Sequence, residues 1–254
     1  MEFFDSHSHY NDEKYNIDRN EIIKSAYSEG ITRLVCAGYN VKQSEFALDL
    51  AKDFHFMYAT CGISPNDIED FVDNNLEKIE EIGKDNRIVA IGEIGLDYYW
   101  NKDNKELQKE LFAKQIEIAN KLDKPIVIHT RDAWQDTIEI LKSHPVKKKG
   151  IFHCCPLNQE LIKEGLKLGF YISFSGNITF KNAKSEECVL LVPNDKILIE
   201  TDCPYLSPEP YRGKRNDSRN VKLVAQRIAD IKGLSLDEVA KITYENANNI
   251  FELK

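Results

Sequence analysis

Two histidines set two residues apart in an extended segment point their imidazoles to the same side, and Asp5-Ser6-His7-Ser8-His9 sets His7 and His9 that way. That is chelating geometry. Further acids and imidazoles recur at the ends of other β-branched runs: Glu93 in Gly92-Glu93-Ile94-Gly95-Leu96-Asp97, His129 in Ile128-His129-Thr130-Arg131, His153 in Phe152-His153-Cys154, and Asp202 after Glu200-Thr201. Four imidazoles and two carboxylates exceed what one open catalytic ion takes, about three protein ligands plus water. They suit two divalent ions sharing a carboxylate. We assign His7, His9, Glu93 and Asp202 to one ion and Glu93, His129 and His153 to the other, with Glu93 as the bridge. Zn, Mn and Mg are the candidates, and the nitrogen donors favour a transition ion. The other two histidines, His55 and His144, fall beside helix ends, where a solvated or capping role is expected.

Two such ions lower the pKa of a water and stabilise both the attacking and the leaving oxygen of an in-line displacement, which is phosphodiester hydrolysis. On this reading Glu93 and Asp202 are the catalytic carboxylates, and Asp202 orients or deprotonates the water. Substrate phosphates need cations. From Tyr205 to Lys222 there are five bases against two acids, so the segment after Asp202 is locally +3, and we read Arg212, Lys214 and Arg215 as phosphate-binding. Lys147-Lys148-Lys149 precedes a strand and belongs on the opposite face, as a solubility feature. Tyr98, Tyr99 and Trp100 follow a strand on the chemical side, where an aromatic face can stack on a base of a single strand or pack the loop onto the fold. Trp134 is a weaker example of the same kind. Cys154, Cys155 and Cys203 neighbour the candidate ligands, and we take them as packing.

Eight short apolar runs must position these groups: 2–7, 32–38, 56–62, 88–93, 125–130, 150–154, 170–174 and 196–201. Each precedes a helical pattern, most clearly 108–122 and 133–141, and least clearly 180–191. Two last helices, 221–231 and 236–251, follow the eighth run, with Ser235 and Glu238 forming a capping box. Strand followed by helix, eight times, with strands apolar on both faces, predicts one α/β domain over 1–254, a single (β/α)8 TIM-like barrel. A doubly wound open sheet is the alternative. In the barrel the candidate ligands gather at the C-terminal ends of the strands, where such folds build their sites.

The chain has 254 residues, ample for a packed core, and a formal charge of −8. Two divalent ions bring that to about −4, and an acidic average disfavours indiscriminate binding along duplex DNA while permitting capture of one phosphate at a strand end. The N-terminus carries no basic, apolar signal pattern, and no apolar run approaches the roughly 20 residues of a membrane span. Six scattered cysteines without a C-x-x-C pair suggest a reducing compartment, so a cytoplasmic location is expected.

Taken together, the segments around Asp5 to His9, Gly92 to Tyr98, Ile128 to Ala133, Tyr171-Ile172-Ser173-Phe174-Ser175-Gly176, Glu200 to Leu206 and Arg212 to Asn216 resemble the TatD family of metal-dependent deoxyribonucleases. The resemblance implies a (β/α)8 barrel of the metal-dependent hydrolase type, two metals, and action on DNA ends, often as a 3′ to 5′ exonuclease preferring single strands. In that family the residues matching His7, His9, Glu93, His129, His153 and Asp202 are the metal ligands. Three loops depart from the family pattern. Gly62-Ile63-Ser64-Pro65-Asn66 stands where Gly-x-His-Pro-His is usual, His153-Cys154-Cys155-Pro156-Leu157 where His-Cys-Phe-Ser-Gly is usual, and Asp217-Ser218 where an acid and a proline are usual.

Three rivals stand beside this reading. A small-molecule amidohydrolase or lactonase on the same barrel often bridges its metals with a carboxylated lysine where this chain has Glu93, and has no need of the Arg212 to Arg215 loop. A D-aminoacyl-tRNA deacylase is a closer variant. A metal-binding scaffold without turnover is the third.

Overall fold

The computed structural model describes residues 1–254, the side chain of Asp73 excepted. Eight strands, β1 (Phe3–Ser8), β2 (Ile31–Ala37), β3 (Met57–Cys61), β4 (Ile88–Asp97), β5 (Ile126–Arg131), β6 (Gly150–Phe152), β7 (Tyr171–Phe174) and β8 (Ile197–Ile199), pair in parallel in the order β1 to β8. Among the described residues, nine α-helices lie between and after them: α1 (Arg19–Ser28), α2 (Val41–Asp53), α3 (Asp73–Ile82), α4 (Lys105–Leu122), α5 (Trp134–Ser143), α6 (Gln159–Lys167), α7 (Ser185–Leu191), α8 (Val221–Lys232) and α9 (Leu236–Ile250). A strictly sequential order is that of a barrel, because a doubly wound sheet reverses direction part-way. The two ends meet just beyond β8, where Asp202 N–H donates to His7 O (3.0 Å) and His9 N–H to Cys203 O (2.7 Å).

Inward-facing residues of successive strands, among them Phe4, Val35, Val89, Val127, Ile151 and Leu198, fill the barrel and touch Ala247, Ile250 and Phe251 of α9. The apolar side of α9 thus seals one end, and the Ser235–Glu238 capping box starts that helix as expected, Ser235 Oγ accepting from Glu238 N–H and the Glu238 carboxylate from Ser235 N–H. The Lys147 to Lys149 tract lies at this sealed end, Lys148 pairing with Asp123 (3.3 Å) and with Glu252 (2.7 Å) after α9. Chemistry is left to the other end.

Three strand ends differ from the sequence reading by more than one residue, for reasons in the backbone. β6 stops at Phe152 and β8 at Ile199, so His153 and Asp202 sit in turns; Cys154 (φ 38°) and Asp202 (φ 54°) take left-handed conformations that no strand continues through. β4 runs on to Asp97 instead of ending at Glu93. After β7 a turn of 3-10 helix spans Gly176–Thr179, and Phe180 is extended, so α7 begins only at Ser185.

The extension of β4 depends on glycine. Gly95 has φ +138°, and a Cβ there would stand 2.0 Å from His129 O on β5; a Cβ on Gly92 would stand 2.6 Å from Val127 Cβ. These two close approaches set Glu93 against the His129 strand. Gly95→Ala, which cannot adopt that φ without strain and collides with backbone, is expected to destabilise the fold by about 3 kcal/mol or more. Urea unfolding of the purified variant checks this, and an unchanged midpoint would contradict it.

Candidate metal centre

His7 from β1, His9 just after it, Glu93 from β4, His129 from β5, His153 after β6 and Asp202 after β8 converge at the open end of the barrel. Their donor atoms fall into overlapping groups: His7 with His9 and Glu93, Glu93 with His129 and His153, and His7 with His153 and Asp202. Around the first, His7 Nε2 and His9 Nε2 are 3.1 Å apart, Glu93 Oε2 is 3.5 and 3.6 Å from them, and Asp202 Oδ1 is 3.8 and 3.3 Å from them. Around the second, Glu93 Oε1 is 3.0 Å from His129 Nδ1 and 3.5 Å from His153 Nε2, and those nitrogens are 3.3 Å apart. An ion with bonds of about 2.1 Å separates its donor atoms by about 3.4 Å when tetrahedral and about 3.0 Å between neighbours when octahedral. The spacings fit a divalent ion in each group, and the Glu93 carboxylate turns one oxygen to each.

Partners on the far sides of the His9 and His129 rings fix which of their nitrogens faces inward. His9 Nδ1 lies 3.3 Å from Ala37 O, and His129 Nε2 lies 2.9 Å from Asp97 Oδ2. His153 Nδ1 is 3.4 Å from Glu200 Oε1, which itself accepts from Cys154 N–H at 2.7 Å. His7 and His153 stack, ring centroids 3.9 Å apart and 16° from parallel. Burial pushes the Glu93 carboxyl up, but the His153 charge and hydrogen bonds from His129, His153 and His7 hold it well below its ordinary range. Burial likewise opposes charge on His129, yet Asp97 and Glu93 raise it to about 9. Asp202 is depressed because His9 and the neighbouring imidazoles outweigh its desolvation. His7 falls instead, through burial and the adjacent His153 charge. A nest of carboxylates that hold their charge among imidazoles is a site made for cations.

Asp97, Glu200 and Arg131 were not singled out from the sequence. Asp97 and Glu93 are four apart on one strand, and Arg131 is two beyond His129, so alternation places each on the side of its neighbour once β4 and β5 are read to their full length. Asp97 uses both oxygens: Oδ2 meets His129 Nε2, and Oδ1 accepts Tyr99 N–H and Trp100 N–H at 2.9 Å each. Groups that orient a ligating imidazole are worth about 10- to 100-fold in metal affinity. Asp97→Asn is therefore expected to weaken metal binding by that factor, read by competition with a chromogenic chelator. Unaltered affinity would assign Asp97 to the loop alone.

A cleft of about 930 Å³ opens over five of the six side chains, with His7 buried beneath them, and is lined also by Asn66, Trp100, Arg131, Cys154 and Tyr205. Cys154 thus borders the cleft, 3.1 Å from Ser175 Oγ, rather than packing the interior, whereas Cys155 and Cys203 are buried. Arg212, Lys214 and Arg215 do not line it. The Arg212 guanidinium lies 4.2 Å over the Phe180 ring, Lys214 and Arg215 border a separate cavity of about 470 Å³, and Arg215 grips both Asp18 oxygens (2.9 and 2.5 Å). Trp134 is half-buried against the core, His55 is exposed, and His144 follows α5 with Nδ1 3.0 Å from Ser143 Oγ.

The sequence profile of the TatD related DNase family matches residues 4–252. The chain belongs to this family. It is 43% identical over 252 residues to an uncharacterised metal-dependent hydrolase, YabD, of Bacillus subtilis strain 168, covering 98% of this chain and 99% of that one. To YcfH of Escherichia coli K12, likewise an uncharacterised metal-dependent hydrolase, it is 34% identical over 258 residues, covering 100% and 97%. Among solved structures, YjjV, a TatD homolog from Escherichia coli K12, shares the fold with a TM-score of 0.94 at 24% identity over 99% of this chain and 98% of that one. A phosphotriesterase homology protein from Escherichia coli shares it at 0.73 and 14% identity over 98% of each. This TatD-family protein is a metal-dependent hydrolase. Where its loop after β3 lacks the usual TatD histidines, Asn66 Nδ2 donates to Asp97 Oδ2 (3.3 Å) and Asn66 Oδ1 accepts from Asn101 (3.1 Å), so the substituted position supports the Asp97 carboxylate.

Proposed function

We propose that this hydrolase cleaves phosphodiester bonds of DNA, working over 1–254 as one domain and removing nucleotides from the 3′ end of single strands. The observation that carries the reading is the Glu93 carboxylate, with one oxygen toward His7 and His9 and the other toward His129 and His153. His7, His9, Glu93 and Asp202 would hold one divalent ion, and Glu93, His129 and His153 the other. Ions bound there would supply a water of lowered pKa and positive charge facing the phosphoryl oxygens. Asp202 is only partly covered, with Oδ1 directed at His9, and it is the base that orients the water and takes its proton. Glu93, deeper and matched by imidazoles, keeps its charge and holds the two clusters together. DNA as substrate draws its support from the family. No described helix is long and apolar enough to cross a membrane. Six free cysteines, five of them buried, support a reducing compartment, and we place the enzyme in the cytoplasm.

Protein stripped of metal and refilled singly with Mg, Mn or Zn, then offered 3′- and 5′-labelled single and double strands, tests this. Early release of the 3′ label as mononucleotide, fastest from single strands, is expected. Turnover of D-aminoacyl-tRNA or of a lactone with DNA left intact would replace the reading with one of its rivals.

A further inference from the structure

Two aromatic side chains stand in solvent beside the metal centre on an immobilised backbone. Trp100 is 66% exposed and Tyr99 45%, their rings edge to face with centroids 4.8 Å apart. The peptide N–H groups of both are held by Asp97 Oδ1, while the next residue, Asn101, is tied to Asn66 and Pro65 through its side chain and to Gln108 through its carbonyl. A loop fixed this closely sets its rings in place before any ligand arrives, so stacking on them carries little ordering penalty. It is also fixed to the carboxylate that meets His129, which ties the shelf to the reacting end of the site.

Arg131 completes the shelf. Its guanidinium lies 3.9 Å over the Tyr99 ring and 5.5 Å from the Trp100 ring, and among the described residues no carboxylate pairs with it. Arg215 and Arg219, in contrast, are taken up by Asp18 and Asp217. A guanidinium stacked by its face keeps its edge donors for a planar or tetrahedral oxyanion. Trp100 and Arg131 both line the cleft over the metal-binding side chains.

We propose that Tyr99, Trp100 and Arg131 form a nucleotide subsite, in which the exposed indole stacks on a nucleobase of the strand being cut and the edge of Arg131 holds a phosphate. This deepens, and rests on, the phosphodiesterase reading. It explains a single-strand preference, since a base offers its face to a side chain only when it is unstacked from its neighbours.

The two tryptophans, Trp100 and Trp134, make the test direct. In metal-loaded Trp134→Phe protein, emission reports Trp100 alone. Thymidine 5′-monophosphate is expected to quench it saturably, 2-deoxyribose 5-phosphate to leave it unquenched, and Arg131→Ala to weaken nucleotide affinity about 10-fold. In a cleavage assay, wild-type protein should show a KM about 10-fold lower for strands with an intact 3′-terminal base than for strands with an abasic residue there, and Trp100→Ala should erase that preference. Quenching without cleavage of any strand would retire the nuclease and leave the subsite standing. Cleavage without quenching, or an end-base preference that survives Trp100→Ala, would overturn the subsite alone.

Discussion

Glu93→Gln is expected to abolish turnover, lowering kcat by about 10³-fold or more and reducing bound metal from two ions per chain to less than one. The substitution keeps the shape of the side chain and removes its charge. Its consequences reach both clusters, because one oxygen lies 3.5 and 3.6 Å from His7 and His9 and the other 3.0 and 3.5 Å from His129 and His153. An amide offers one carbonyl oxygen and turns an N–H₂ toward the other cluster, so at least one group loses a donor and gains a donor proton in its place. On the proposed phosphodiesterase reading, several kcal/mol of charge stabilisation at the reacting centre goes with the ions, and at 1.36 kcal/mol per factor of ten that is the stated loss. Metal analysis on the gel-filtered variant, beside a far-UV spectrum showing the barrel intact, separates this from unfolding. A variant that kept two ions would remove Glu93 as the bridge.

Asp202→Asn is expected to act differently, lowering kcat by about 10²- to 10⁴-fold, the usual contribution of a positioned general base, while His129, His153 and Glu93 keep an ion. Asp202 lies nearest the first cluster, 3.3 Å from His9 Nε2, and shares a donor group with His7 and His153; its side chain is 15% exposed where Glu93 is 8%. On the proposed mechanism it is the carboxylate that a substrate and its water reach. Single-turnover cleavage compared with metal content makes the distinction. Loss of both ions, or kcat within a few-fold of wild type, would show that Asp202 is not the base.

Much of the fold is written in β-branched runs such as Val127-Ile128 and Ile197-Leu198-Ile199, whose two apolar faces admit only a covered parallel sheet. Strand ends were less legible, since the left-handed turns at Cys154 and Asp202 arise from contacts across the barrel mouth, such as Asp202 N–H to His7 O, that no local window contains. The convergence of six ligand-type side chains could be anticipated because each lies in the C-terminal half of a strand or just beyond it, and barrel strands share one direction. The basic loop could not be placed by the same logic. Arg212, Lys214 and Arg215 are close in sequence to Asp202, but Arg215 leads away to Asp18 before α1, and the acids that meet the loop's bases include Glu29, which lies far off in the chain. Asp97 looks like any turn acid until its two oxygens are traced, one to His129 and one to the backbone under Tyr99 and Trp100.

The number of ions that turnover requires tests the shared Glu93 site most directly. Stripped protein titrated with Mn should cleave a 3′-labelled single strand only as the second equivalent binds, with two ions per chain at full activity and none of that activity when the metal is withdrawn again. Full cleavage after stripping, or saturation of activity at one ion per chain, would contradict it.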